Sequence, residues 1–258
     1  MEDSVGVARG RFVWHELMAA DIEAAIGFYG ALFGWTAYEM EMGEGATYRV
    51  LRSGDRDIGG TTPLEQGETG PSRWLMSVTV DDVTATAHEA KAHGGTVIVP
   101  PTPIPGVGEF AVIADPQGAS VSALRCDPWR PEEVPPGPGR FCWYELLTTN
   151  AEAAAHFYGA LFGWGHGTFD MGGGMTYHLF KRDGKDVAGA MVMPADAQAA
   201  PMWLPYMLAE DVDASAARAV GLGARQCLAP HDIPGVGRFA VLDDPQGATF
   251  ALFKPLAG

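Results

Sequence analysis

The chain has little cysteine, and no cysteine pair stands at the spacing that zinc or redox sites use. Its three cysteines are Cys126, Cys142 and Cys227, and no Cys-x-x-Cys motif occurs. An odd number of widely spaced cysteines is typical of free thiols in a reducing compartment. The sequence therefore predicts a cytoplasmic protein without a disulfide framework.

Basic residues are also scarce. The 17 Lys and Arg are outnumbered by 32 Asp and Glu, so the formal net charge is −15. A phosphate backbone or an anionic membrane surface attracts clustered positive charge. The charge balance therefore argues against both nucleic acid and membrane as partners.

Long apolar runs are missing as well. No stretch is long enough to cross a bilayer, and residues 1–6 lack the basic and apolar regions of a signal peptide. The hydrophobic share of 47% is nevertheless ample for globular cores.

A long internal repeat is present instead. Residues 28–35 and 157–164 share the sequence Phe-Tyr-Gly-Ala-Leu-Phe-Gly-Trp, at an offset of 157 − 28 = 129. The same offset relates the Asp-Pro-Gln-Gly-Ala segments at 115–119 and 244–248. A match of this length indicates a duplicated unit. We predict domains over residues 1–126 and 140–258, joined by a stiff, proline-rich linker over residues 127–139.

Hydrophobic periodicity predicts the elements of each half. Residues 11–18 alternate as a strand, and Asp21 caps a helix that ends at Gly34. The predicted strands that follow begin at Trp35 and lie near residues 47–52 and 56–61. A second βαβββ module has a strand at 74–80, a helix from Asp82 to His93, and strands near 96–98, 109–114 and 120–125. The chain thus contains four such modules and is of the α+β class.

A strand, an Asp-capped helix ending in Phe-Tyr-x-x-Leu-Phe-Gly-Trp, and a closing Asp-Pro-x-Gly resemble the vicinal oxygen chelate superfamily. That superfamily includes glyoxalase I, extradiol dioxygenases and bleomycin-resistance proteins. The Trp-x-Glu-Leu that opens each half is similar to a bacterial subgroup labelled hydroxylase or 27 kDa antigen. The resemblance implies two open eight-stranded cups with a ligand on each concave face. It leaves open whether module one pairs with module two or with module four.

The same resemblance implies metal ligands, a His or Gln in the first strand of a module and a Glu near the end of its last strand. Counting back from the helices places Trp14, Trp143, Leu75 and Leu204 at the first-strand positions, and Ser122 and Ala251 at two Glu positions. Neither an indole nor an alkyl side chain binds a divalent metal, and the expected His, Gln and Glu ligands are missing from all six positions. We therefore expect no metal and no other cofactor.

His15 lies one residue from the first of these positions. A register slip would move Trp14 to the other face of the strand and would still supply no second ligand. We interpret His15 as a packed side chain near the helix.

Strand alternation places Phe12, Trp14 and Glu16 on one face, and Phe141, Trp143 and Glu145 on the corresponding face of the second half. Glu16 and Glu145 are candidate general bases if the aromatic surroundings raise their pKa. Pairing with Arg11 or Arg140 is the alternative. The remaining candidate ligand-binding residues are Tyr48, Ser77, Ser122, Tyr177, His178 and Tyr206.

Three functions fit these residues. The first is binding of a small aromatic or amphipathic molecule in a metal-free cup. The second is a glyoxalase-like lyase, isomerase or dioxygenase activity, with Glu16 or Glu145 as base. The third is an interaction protein whose halves form a pseudo-dimer. Both a monomer with an internal pseudo-dimer and a homodimer are compatible with the sequence.

Overall fold

The computed structural model describes residues 8–43, 46–64, 70–129, 131, 134–194 and 199–256. Residues 130, 132 and 133 of the predicted linker lie outside this range, as do residues 1–6. Within the described residues no helix is long and apolar enough to cross a membrane. The domain boundaries and the cytoplasmic location stay predictions.

The described elements repeat the same order in both halves. The first half contains β1 (Phe12–Ala19), α1 (Ile22–Phe33), β2 (Thr36–Gly43), β3 (Ala46–Ser53), β4 (Arg56–Pro63), β5 (Arg73–Thr79), α2 (Val83–Ala92), β6 (Thr96–Ile104), β7 (Gly108–Ala114) and β8 (Ser120–Cys126). The second half contains β9 (Phe141–Thr148), α3 (Ala151–Phe162), β10 (Gly165–Gly172), β11 (Met175–Arg182), β12 (Lys185–Val192), β13 (Met202–Leu208), α4 (Val212–Gly221), β14 (Arg225–Ile233), β15 (Gly237–Asp243) and β16 (Thr249–Pro255).

These strands form two eight-stranded sheets of matching topology. Their orders are β2-β3-β4-β1-β5-β8-β7-β6 and β10-β11-β12-β9-β13-β16-β15-β14. In each module the first strand runs parallel to the fourth, and successive hairpins join the others. The predicted α+β class, with four βαβββ modules, is confirmed.

Side-chain and glycine caps set the helix bounds. The Asp21 carboxylate accepts a hydrogen bond from the Ala24 backbone N–H, and Gly34 ends α1 in the left-handed conformation at φ 73°. Asn150 and Gly163 perform the same roles for α3. These local signals explain why the sequence predicted the helix bounds closely.

Strand β6 is longer than predicted. It runs through Thr96–Ile104 although it contains Pro100, Pro101 and Pro103. Proline removes a backbone donor, which a strand tolerates when one side has no neighbour. Because β6 is the last strand in its sheet order, its outer N–H groups have no partner to lose among the described strands.

The chain divides into two compact units that interleave the halves. One unit contains Trp14–Leu75, Val134–Trp143 and the segment from Leu204 onward, and so combines modules one and four. The other contains the described residues up to Val13, the segment that begins at Met76, and Tyr144–Trp203, and so combines modules two and three. This structure answers the pairing question that the sequence left open.

Hydrogen bonds between the repeated motifs stabilise this pairing. Trp74 Nε1 donates to the Tyr29 hydroxyl at 3.1 Å, and that hydroxyl donates to Asp244 Oδ2 at 3.1 Å. Tyr29 belongs to the eight-residue repeat in α1, whereas Asp244 begins the Asp-Pro-Gln-Gly turn of module four. The helix of module one is thereby joined to the turn of module four.

The other unit repeats the arrangement with Trp203, Tyr158 and Asp115. Trp203 Nε1 donates to the Tyr158 hydroxyl at 2.9 Å, which donates to Asp115 Oδ2 at 3.0 Å. The second oxygen, Asp115 Oδ1, accepts three backbone N–H bonds of its own turn. Both repeated motifs therefore contribute to packing, and the tyrosine of each helix motif donates to the aspartate of the turn motif in the opposite half.

Candidate functional site

A polar site lies on β1, β3 and β4, in the unit that combines modules one and four. His15 and Leu17 of β1 are buried on the side that α1 covers, and the His15 ring stacks on Phe141 at 3.6 Å. Because side chains alternate along a strand, Trp14 and Glu16 lie on the opposite face, as predicted. Both are partly accessible.

Tyr48 joins these two side chains. The indole Nε1 of Trp14 donates a hydrogen bond to the Tyr48 hydroxyl at 2.8 Å. The Tyr48 hydroxyl in turn donates a short hydrogen bond to Glu16 Oε2. The three residues form the Trp14–Tyr48–Glu16 site, in which each polar hydrogen points toward the carboxylate.

Gly60 makes room for this arrangement. It is the Cα partner of Glu16 in the parallel pairing of β1 with β4. A Cβ at Gly60 would overlap the hydroxyl and ring of Tyr48. Tyr48 therefore lies directly across the backbone of β4, next to Glu16. Our sequence analysis missed Gly60, although a glycine inside a strand signals a close approach and recurs at Gly189.

The ionisation of Glu16 is strongly perturbed. Burial raises its pKa from 4.5 to about 7, and hydrogen bonding, with Tyr48 as the main donor, offsets part of that rise. Its Oε1 atom is buried and has no hydrogen-bond partner. Near neutral pH the carboxyl group can therefore both accept and release a proton.

His15 does not contribute to this site. Its Nδ1 lies 2.5 Å from the Ile58 carbonyl oxygen, and burial lowers its pKa to about 4. The ring is therefore neutral, and Nδ1 donates its hydrogen to Ile58. His15 is a packed side chain near the helix, as interpreted from the sequence.

The second half repeats the frame around Glu145. Glu145 is the Cα partner of Gly189 in the β9–β12 pairing, and a Cβ at Gly189 would overlap the Tyr177 hydroxyl. Glu145 is 8% exposed, and Trp143 is half-buried. The backbone geometry that places Tyr48 over Gly60 is thus present twice.

Phe12 lies apart from Trp14. Its ring stacks on Tyr144 at 3.8 Å and approaches Trp164 at 5.4 Å and Trp203 at 5.7 Å. The role of Phe12 in ligand binding stays a prediction. Trp14 has a different aromatic neighbour, Tyr48, at 6.5 Å between ring centroids.

Ser77 and Ser122 are brought together in the second module. They are Cα partners in the parallel pairing of β5 with β8, and both are buried. The equivalent pair in the fourth module is Tyr206 and Ala251. There the Tyr206 ring packs against Phe239 and Phe253, each at 6.3 Å between ring centroids. The two halves therefore differ at the positions where Ser77 and Ser122 stand.

His178 of β11 lies beside His166 of the neighbouring strand β10. Its Nδ1 is 2.9 Å from His166 Nε2, and its imidazole interacts electrostatically with the Glu152 carboxylate of α3. Burial and the neighbouring His166 lower its pKa. His178 thus faces α3, whereas the adjacent Tyr177 lies over Gly189 on the opposite side of β11. That His178 lines a cup stays a prediction.

Topology and tandem modules define the class of this protein. The sequence model for the Glyoxalase/Bleomycin resistance protein/Dioxygenase superfamily matches residues 11–122, and the model for a glyoxalase-like domain matches residues 144–253. The chain belongs to this superfamily, which confirms the resemblance drawn from the repeated motifs.

Individual relatives share the full tandem arrangement. CFP32 of Mycobacterium tuberculosis, provisionally named a glyoxylase, is 34% identical over 245 residues, covering 94% of both chains. The anthracycline biosynthesis protein DnrV of Streptomyces peucetius is 30% identical over 260 residues, covering 96% of this chain and 94% of DnrV.

Solved structures share the fold at low identity. The Mn(II)-bound glyoxalase of Novosphingobium aromaticivorans has a TM-score of 0.62 at 16% identity, covering 97% of this chain and 84% of the glyoxalase. The 2,2',3-trihydroxybiphenyl 1,2-dioxygenase of Sphingomonas wittichii has a TM-score of 0.62 at 14% identity, covering 95% and 90%. At such identities the likeness concerns the fold alone.

A metal such as the Mn(II) of the Novosphingobium aromaticivorans glyoxalase does not fit the residues described here. Among them, no group of three or more His, Cys, Asp or Glu side chains is arranged to hold an ion. Two of the expected ligand positions hold Trp14 and Ser122, whose indole and hydroxyl groups replace the expected His, Gln or Glu ligands. We therefore derive no chemical step through a metal.

Proposed function

We propose that the chain binds a small aromatic or amphipathic molecule at the Trp14–Tyr48–Glu16 site, without a metal. The observation that carries this proposal is the Oε1 atom of Glu16, which is buried and lacks a hydrogen-bond partner. A buried, unsatisfied carboxylate oxygen is costly, and a ligand that hydrogen-bonds to it removes that cost.

The aromatic neighbours indicate the kind of ligand. Trp14 and Tyr48 are partly exposed on the face opposite α1, with ring centroids 6.5 Å apart. Small-molecule sites typically combine such apolar walls with a few polar groups that set orientation. The relative DnrV, named for anthracycline biosynthesis, adds support for a polycyclic aromatic ligand.

A titration with 2-naphthol followed by tryptophan fluorescence tests this proposal. We expect saturable quenching in the unmodified protein and an affinity at least tenfold weaker in Trp14→Phe, because the indole would contact the ligand. Trp129→Phe, in the linker, is the matched control for a lost indole. Equal affinity in Trp14→Phe and in the unmodified protein would show that the site lies elsewhere.

Proton transfer at Glu16 is a second candidate function. It is favoured by the pKa of about 7, which is close to the value that a general base needs at neutral pH. Glu16 Oε1 would take a proton from a bound carbon or oxygen acid and return it to another atom of the same molecule. The Tyr48 hydroxyl would stay hydrogen-bonded to Oε2 and hold the carboxyl group in position.

Solvent deuterium exchange separates the two candidates. A base at Glu16 would accelerate exchange of an acidic proton of the bound ligand, and Glu16→Gln would abolish the acceleration. Tight binding with no accelerated exchange would leave binding as the function.

A further inference from the structure

We propose that the ligand of the Trp14–Tyr48–Glu16 site presents a neutral hydrogen-bond donor, a hydroxyl or N–H group on its aromatic body, to Glu16 Oε1. The inference rests on the proposed binding function and names the class of ligand that this function requires. Hydroxylated or amino-substituted aromatic compounds belong to this class, whereas aromatic carboxylates do not.

The first step concerns which polar atoms of the site are already used. The Trp14 N–H is donated to Tyr48, and the Tyr48 O–H is donated to Glu16 Oε2. Both hydrogen atoms therefore point along this series of hydrogen bonds, from Trp14 through Tyr48 toward the carboxylate. The buried atom left without a partner is Glu16 Oε1, which is an acceptor when the carboxyl group is ionised.

The second step concerns charge. The groups that lower the pKa of Glu16 are the neutral donors Tyr48, Thr62 and Trp14, and none of them is a cation. An ionised ligand carboxylate would therefore meet a second negative charge, and none of these three donors carries a positive charge to offset the repulsion. A neutral donor meets no such penalty and gains a hydrogen bond to a charged acceptor.

The third step concerns selectivity. A site with a buried polar group rejects an analogue that cannot pair with it far more strongly than it rejects a change in apolar size. Replacing a ligand hydroxyl by a methoxy group removes the donor and keeps the aromatic body. The loss in affinity on that replacement therefore measures the Glu16 contact.

Three naphthalene derivatives provide the test at pH 8, where the Glu16 carboxyl group is mostly ionised. We expect 2-naphthol to bind the full-length protein at least tenfold more tightly than 2-methoxynaphthalene, and 2-naphthoate to bind most weakly. In Glu16→Gln the amide oxygen can accept from Tyr48 and the amide nitrogen replaces Oε1. The preference for naphthol should then disappear, while Glu89→Gln, an exposed carboxylate on α2, keeps it.

The outcomes separate the inference from the function on which it rests. Equal affinities for 2-naphthol and 2-methoxynaphthalene in the unmodified protein would overturn the inference and leave the proposed function standing. Tightest binding of 2-naphthoate would overturn it as well. If none of the three compounds binds, the proposed function itself is overturned and the inference with it.

Discussion

Glu16 and His15 are neighbours in β1 whose pKa values move in opposite directions because burial penalises the charged form of each. Burial raises the pKa of the Glu16 carboxyl group to about 7 and lowers the pKa of the His15 imidazole to about 4. Strand alternation places them on opposite faces, so each can be tested separately.

The Glu16→Gln variant should remove a loss of stability that occurs as pH rises from about 4.5 to 7. The folded-state pKa lies above the unfolded value of 4.5, so the folded state binds more protons between about pH 4.5 and 7. The free energy of unfolding of the parent protein therefore falls across that window, by up to about 3 kcal/mol for this group. Urea unfolding at pH 5 and pH 8 should show a smaller fall in the variant, and an identical fall would contradict the raised pKa.

His15→Phe should act with the opposite sign. The imidazole pKa is lower in the folded state than its ordinary 6.5, so the parent loses stability as pH decreases from about 6.5 to 4. The variant keeps the stack on Phe141 but loses the hydrogen bond to Ile58, which costs about 1–3 kcal/mol at every pH. Because the introduced phenylalanine cannot bind a proton, the destabilisation of the variant relative to the parent should be roughly 2 kcal/mol smaller at pH 5 than at pH 7.5.

Thermal unfolding at pH 5 and pH 7.5 measures this difference. A variant that is destabilised equally at both pH values would show that His15 does not titrate at a lowered pKa.

At the scale of elements, the site depends on how closely β3 and β4 approach through Gly60. The position carries no unusual backbone angle, and its requirement for glycine comes from the Tyr48 ring that lies over it. The glycine is required because a neighbouring side chain packs against its backbone, and the strand propensity of the sequence does not reveal that requirement.

Gly60→Ala should displace Tyr48 and separate its hydroxyl from Glu16. We expect weaker binding of 2-naphthol together with a modest loss of stability, roughly 1–3 kcal/mol, from overpacking. Gly189→Ala is the matched variant in the second half, where the added methyl group would meet Tyr177 instead. Similar loss of stability in both variants, with loss of binding only in Gly60→Ala, would assign the ligand to the first half. Unchanged binding in Gly60→Ala would contradict the role of Tyr48.

At the scale of the whole molecule, each compact unit takes one module from each half of the chain. Tyr29 of module one needs Asp244 of module four, and Tyr158 of module three needs Asp115 of module two. A buried hydroxyl or carboxylate that loses such a partner costs about 1–3 kcal/mol. Neither half therefore contains the acceptor of its own buried tyrosine hydroxyl, Tyr29 or Tyr158.

The first half, residues 1–133, should for this reason form a homodimer when it is expressed alone. Asp115 and Asp244 occupy equivalent positions at the offset of 129, so Asp115 of a second copy can take the place of Asp244 beside Tyr29. Light scattering after gel filtration should give twice the mass of the fragment. Tyr29→Phe in the fragment should weaken the dimer, and a stable folded monomer would contradict the prediction.

The sequence by itself determined the features that depend on local or periodic order. The offset of 129 revealed four modules, Asp21 and Gly34 set the ends of α1, and alternation placed Trp14 and Glu16 on one face. Capping and alternation act within a few residues, so their effects can be read without knowing the rest of the fold.

Only the tertiary structure decided which distant residues meet. Tyr48 reaches Glu16 across 32 positions of the chain, and Tyr29 reaches Asp244 across 215. Phe12 also stacks on Tyr144 of the other half of the chain, a contact that no local pattern reveals. The unpartnered Oε1 of Glu16 likewise depends on burial by segments far apart in sequence, and burial is a property of the packed chain.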